Sequence, residues 1–201
     1  MGDKTYPLSH NRIRHIYEDK EQQLWIATDG SINRYDYATR QFIHYNIVDS
    51  TGMYNTNWTY YMFEDTAGQL WISTCLGGIF VVDKHKLMQS ASGQYVAEQN
   101  YSVHNGLSGM FINQIIPDNE GNVWVLLYNN KGIDKINPRT REVTKLFADE
   151  LSGEKSPNYL LCDEDGMLWV GFHGGVMRIN PKDESQQSIS CLLYTSDAAD
   201  D

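Results

Sequence analysis

Cysteine is scarce in this chain, and positive charge is outweighed. Three cysteines, Cys75, Cys162 and Cys191, stand among 201 residues. They show no framework spacing, so a disulfide scaffold is excluded and the redox compartment stays open. Sixteen basic residues face 26 acidic ones, for a net charge of −10. A surface of that sign gains no counterion-release energy from phosphates, so direct binding of DNA or RNA is excluded. No apolar run is long enough to cross a bilayer, and Met1 to Pro7 lacks the apolar stretch of a signal peptide. Because the repeats described below begin almost at once, the chain reads as a piece of a longer protein. The histidines, His10, His15, His44, His85, His104 and His173, include no short-spaced pair on one strand, which argues against a histidine-bound metal. There is no Gly-x-Ser-x-Gly elbow and no phosphate-binding glycine loop. No catalytic residue, metal or cofactor is therefore expected.

What the chain has is apolar material and a period. Hydrophobic residues make up 41% and aromatics 12%, enough for a packed core. The stretch Ile16 to Thr28 returns as Met62 to Thr74, Ile115 to Leu127 and Leu160 to Phe172, with Trp25, Trp71, Trp124 and Trp169 in one frame. The tryptophans are spaced by 46, 53 and 45 residues, and a period in the forties signals a propeller or solenoid. Each copy reads as strand, acidic turn, strand. Arg12 to Asp19 alternates, Lys20 to Gln23 turns, and Leu24 to Thr28 carries apolar residues on both faces, so it is covered on both sides. A third strand, Ile32 to Asp36, and a fourth, Gln41 to Tyr45, complete the unit.

The expected fold is therefore all-β: a β-propeller of about four consecutive four-stranded antiparallel blades, an incomplete arc of a larger, seven-bladed ring. The blades span about 8–46, 54–102, 107–148 and 155–190. In the second, Lys84 to Gly93 is an insertion and Tyr95 to Tyr101 the fourth strand. In the last, the fourth strand begins near Ser185 and is cut off by the tail. Residues 191–201 fit no repeat and resemble the translation of an adapter used in preparing sequencing libraries, so they are read as a non-native tail.

The acidic turns lack full EF-hand spacing, and their recurrence at one blade position points to hairpin chemistry rather than calcium. The four in-frame tryptophans read as packing between blades. Trp58 is out of frame beside a strand entrance and either faces a ligand or packs the next blade. Loops between second and third strands share one rim with the strand entries. Tyr128, Asn129, Asn130, Lys131 and His173 are thus candidate ligand contacts together with Trp58, set against the simpler reading of solvated loop.

The frame Glu18-Asp19 with Leu24-Trp25-Ile26-Ala27-Thr28, and Glu64-Asp65 with Gly68 and Leu70-Trp71-Ile72-Ser73-Thr74, resembles the two-component regulator propeller repeat. Asn33 to Asp36, Gly77-Gly78, Gly174-Gly175 and the entries Leu8 to Asn11 and Asn105 to Ser108 add to the resemblance. Gln22 departs from it where a turn glycine is usual, and Leu126-Leu127 where a small residue and threonine are usual. The resemblance covers residues 8 to 183. It implies the sensor part of a hybrid two-component histidine kinase: a periplasmic portion of an inner-membrane protein, binding oligosaccharides and controlling glycan-utilisation genes. The implied partners are an oligosaccharide ligand, the remaining blades, the kinase module and, in a homodimer, a second copy. The competing readings are a propeller lyase or glycosidase acting on polysaccharide, and a protein-interaction scaffold.

Overall fold

The computed structural model describes residues 8–90, 94–128 and 132–191. Its first sheet contains β1 (Ile13–Glu18), β2 (Leu24–Thr28), β3 (Ser31–Asp36) and β4 (Gln41–Val48). The second sheet begins with β5 (Thr59–Glu64), β6 (Gln69–Thr74) and β7 (Ile79–Asp83), followed by helix α1 (Lys84–Gln89) and the short strands β8 (Gln94–Val96) and β9 (Gln99–Tyr101). The third comprises β10 (Ile112–Pro117), β11 (Val123–Leu127), β12 (Ile133–Asn137) and β13 (Glu142–Leu146). The fourth comprises β14 (Pro157–Cys162), β15 (Leu168–Phe172), β16 (Gly175–Ile179) and β17 (Gln186–Ser190). Within each sheet the strands pair in chain order, with β9 as the fourth strand of the second. The first strands of neighbouring sheets lie side by side, β1 against β5, β5 against β10 and β10 against β14. They are therefore the inner edges of four β-propeller blades.

Two strands differ from the sequence reading. Tyr95 to Tyr101 is not one strand. β8 runs parallel to the end of β4, pairing Asn46 with Gln94 and Val48 with Val96, and only β9 completes the second blade on β7. The first blade's outer strand runs on past Tyr45 to Val48 and leaves a free edge, which β8 covers and so closes to other chains. The Ala97 amide donates to the Val48 carbonyl, and Glu98 turns back to accept from the Asp83 amide. In the last blade β17 is not cut short, since all five of its residues pair with β16.

Blades pack face to face because their strands are apolar on both sides. Trp25, Ile32 and Ile47 meet Met62, Ile72 and Phe80 across the first interface. Trp71, Val81 and Tyr101 meet Val123, Val125 and Ile136 across the second, and Trp124, Leu126 and Ile133 meet Leu168, Val170 and Met177 across the third. Each fully buried large apolar side chain contributes about 1.5–3 kcal/mol. Trp25, Trp71 and Trp124 are buried, as the packing reading requires. Trp169 is half-buried, with Arg178 over its ring, because among the described residues no further blade covers that face of the fourth.

The acidic hairpins are pinned from within. Asp19 accepts the amides of Glu21 and Gln23 on Oδ1 and the Trp25 indole N–H on Oδ2 at 2.9 Å. Asp65 holds Ala67, Gln69 and Trp71 in the same way, and Asp118 holds Glu120, Asn122 and Trp124. Asp163 holds Met167 and Trp169. One carboxylate thus closes the turn and fixes the ring that reaches the next blade. The third residue after each aspartate has positive φ: Gly68, Gly121 and Gly166 in three blades, but Gln22 at 62° in the first. Gln22 is exposed, so Gln22→Gly is expected to stabilise the chain by about 0.5–1 kcal/mol, the ~1–2 kcal/mol cost of a side chain in the left-handed region less the extra chain entropy that glycine loses. Urea unfolding of the two proteins checks this, and an unchanged midpoint would remove the strain argument.

Candidate functional site

The inner strands carry a device that the pattern of apolar residues does not announce. Each has a β-bulge at the same register: between Ile13 and His15, Thr59 and Tyr61, Ile112 and Gln114, and Pro157 and Tyr159. The extra residues are Arg14, Tyr60, Asn113 and Asn158. A bulge re-aims its side chain out of the regular alternation. Here Arg14, Tyr60 and Asn113, from three successive blades, turn into one cleft of about 420 Å³ together with Cys75, Phe111, Ile112 and Tyr128.

Backbone pairing builds the wall of this cleft. In the first three blades the residue after the second strand donates its amide to the residue before the first strand: Asp29 to Arg12, Cys75 to Trp58 and Tyr128 to Phe111. This register makes Asp29, Cys75 and Tyr128 equivalent positions of three successive blades. The Arg14 guanidinium is held rigidly. Its Nε donates to Asp29 Oδ1 at 2.6 Å and its Nη2 to Oδ2 at 3.3 Å, and it lies 4.5 Å from the centre of the Tyr60 ring. Arg12 donates to the same carboxylate from the solvent side. The hydrogen bond from Arg14 holds the Asp29 carboxyl below the ordinary carboxylate range; burial opposes it and Arg12 assists. Asp29 raises the Arg14 pKa in turn. Burial pushes the Cys75 thiol up and disfavours its thiolate form. The arrangement offers ring faces, a fixed guanidinium and a carboxamide, which suit binding rather than bond breaking.

Of the sequence candidates, Tyr128 is exposed and lines this cleft. Trp58 lines a neighbouring cleft of about 350 Å³ with Asp29, Tyr54 and Leu76. It is half exposed at positive φ, with its amide on the Asp29 carbonyl and its own carbonyl accepting from Cys75. The Cys75 to Gly77 loop separates the two clefts, and the Asp29–Arg14 pair joins their walls. His173 is exposed and lines neither cleft. Asn129, Asn130 and Lys131 lie outside the described residues, as do residues 192–201 of the tail.

Arg14, Tyr60, Asn113 and Phe111 were missed by sequence reasoning. One signal was available: the bulged residues sit at one position of the frame, eleven residues before each tryptophan. Their chemistry varies there, while the position two residues on, Ile16, Met62, Ile115 or Leu160, stays apolar.

The two-component regulator propeller family matches residues 7–30, the entry and first hairpin of the first blade. Residues 7–30 carry one copy of the two-component regulator propeller repeat. The chain's four blades repeat the hairpin, pinning aspartate and tryptophan of that match. No curated protein matches the chain. Two crystal structures of the extracellular domain of BT4673 from B. thetaiotaomicron are 96% identical to it with a TM-score of 0.91, covering 95% of this chain and 26% of theirs. One describes that protein as a candidate one-component system, the other as a candidate hybrid two-component system. The extracellular domain of BT3049, from the same organism and also described as a candidate hybrid two-component system, is 20% identical with a TM-score of 0.70 over 94% of this chain and 26% of its own. A virginiamycin B lyase of Staphylococcus aureus shares the fold at 12% identity and a TM-score of 0.67, covering 92% of this chain and 58% of its own. The chain spans about a quarter of the BT4673 and BT3049 domains it matches. Among the described residues no helix is long and apolar enough to cross a membrane.

Proposed function

We propose that this chain is part of the extracytoplasmic sensor of a hybrid two-component system and recognises an oligosaccharide. The observation that carries the reading is its 96% identity to the BT4673 extracellular domain over 95% of its length. The inner-rim cleft supports the ligand class, since exposed aromatic rings beside fixed polar donors match a polyhydroxylated ring with one apolar face. In this reading the chain acts by binding and not by turnover. Ligand shifts the geometry of the propeller, or of a homodimer, and the shift passes to a histidine kinase elsewhere in an inner-membrane parent protein. The remaining blades complete a seven-bladed ring, and the regulated genes serve glycan utilisation.

Isothermal titration of the complete extracellular domain against an oligosaccharide panel tests this. Saturable heat with one member and no saccharide turnover is the expected result. Absence of heat with every member would overturn the ligand class, and turnover of a saccharide would overturn the sensor reading in favour of an enzyme.

A further inference from the structure

We infer that the bulged residues of the inner strands are the specificity determinants of this sensor, and that Arg14, Tyr60 and Asn113 hold an uncharged sugar ring in the inner-rim cleft. The inference rests on the oligosaccharide reading above and names the site and the chemical class within it.

The recurrence of the bulge is the first support. Four inner strands break register at one position, so the bulge belongs to the blade and not to any one ligand. The residues it displays are nevertheless arginine, tyrosine, asparagine and asparagine. Conformation alone does not require that variety. A fixed display position with interchangeable chemistry is how a repeat scaffold sets specificity without altering its core.

The second support is preorganisation. Asp29 grips the Nε and Nη2 edge of Arg14, and the Tyr60 ring lies against its plane. The guanidinium is therefore fixed before any ligand arrives, which lowers the entropy cost of using its remaining N–H groups. Phe111 and Tyr128 expose 47% and 64% of their surface at the same mouth. No blade interface accounts for these rings, whereas a stacked sugar ring does.

Charge decides the class. Among the described residues lining the cleft, Arg14 is the one cation, and its charge is met by Asp29 at 2.6 Å. A uronate or sulfate on the remaining N–H groups would set a second negative charge beside Asp29, whose own charge already meets that of Arg14. Hydroxyl groups accept from Arg14 and exchange bonds with the Asn113 carboxamide without that repulsion.

The test is isothermal titration of the complete extracellular domain with neutral galacto-, manno-, xylo- and cello-oligosaccharides and with oligogalacturonates, at low and high salt. The variants are Tyr60→Ala, Asn113→Ala and Tyr128→Ala. The last removes an exposed ring and keeps the test valid if Tyr60→Ala unfolds. A neutral oligosaccharide is expected to bind with little dependence on salt, and each substitution to weaken it about tenfold, the worth of one stacking or hydrogen-bonding contact. Neutral binding unchanged in all three variants would overturn the site while leaving the sensor reading intact. A preference for oligogalacturonate that salt abolishes would overturn the class. Failure of every saccharide would overturn both this inference and the reading beneath it.

Discussion

Lys84→Met is expected to lower the unfolding free energy by about 3–5 kcal/mol, the usual cost of leaving buried counter-charges unpaired. The Lys84 side chain is fully buried at the start of α1, with its ammonium 3.1 Å from both Asp19 Oδ2 and Glu64 Oε1. Asp19 belongs to the first blade's hairpin and Glu64 to the inner strand of the second, so one ammonium ties two blades to the inserted helix. Burial by itself would lower the Lys84 pKa, but the hydrogen bonds to Glu64 and Asp19 outweigh it and raise the value. Burial would likewise raise Asp19, yet the Trp25 indole, the Gln23 amide and Lys84 together hold it low. Linkage then has a definite sign. The lysine's stabilisation is complete below its ordinary value of 10.5 and is lost as pH rises through the raised one. The Asp19 stabilisation is complete above its ordinary 3.8 and is lost as pH falls through the lowered one. Methionine keeps the apolar stem and removes only the charge. Urea titrations at neutral pH, with Lys84→Met/Glu64→Gln recovering part of the loss, check the assignment. A Lys84→Met midpoint equal to the wild type would show that the cluster ties nothing.

Asp118→Ala is expected to cost about 3 kcal/mol, from charge-assisted hydrogen bonds worth about 1.5–3 kcal/mol each whose losses do not add fully. Asp118 accepts from the Glu120 and Asn122 amides and from the fully buried Trp124 indole at 2.9 Å. Alanine leaves that indole N–H without an acceptor inside the third blade interface. Asp118→Asn keeps one carbonyl acceptor and is expected to lose less. Asp163 pins the half-buried Trp169, and Asp163→Ala should cost less than Asp118→Ala because water can replace the lost acceptor there. Equal losses at Asp118 and Asp163 would contradict the burial argument.

Much of the fold was legible because it is periodic. Trp25, Trp71, Trp124 and Trp169 mark the second strands, and apolar residues on both faces of those strands mark stacked sheets. The turn aspartates were legible as hairpin residues, but their bond to the indole six positions later was not. That bond depends on the ring turning back over the hairpin. The site was legible only at its margins. Tyr128 and Trp58 stood out as aromatics beside loops, and the structure sets them on the walls of two adjoining clefts. Arg14, Tyr60 and Asn113 lie inside strands, where alternation assigns each residue to one face or the other, and a bulge suspends that rule without a residue type of its own.

By itself the sequence determined the blade: its period, its four strands, the acidic hairpin and the apolar pattern that forces sheets to stack. These follow from local spacing and from burial on both faces, which short windows of chain record. Tertiary structure alone decided where β8 pairs, which carboxylates meet Lys84, and which side chains share the rim. Those depend on contacts between positions far apart in the chain, about one repeat for Asn46 to Gln94 and for Arg14 to Tyr60. No window on the sequence contains both blades of an interface, and the cleft exists only where three of them meet.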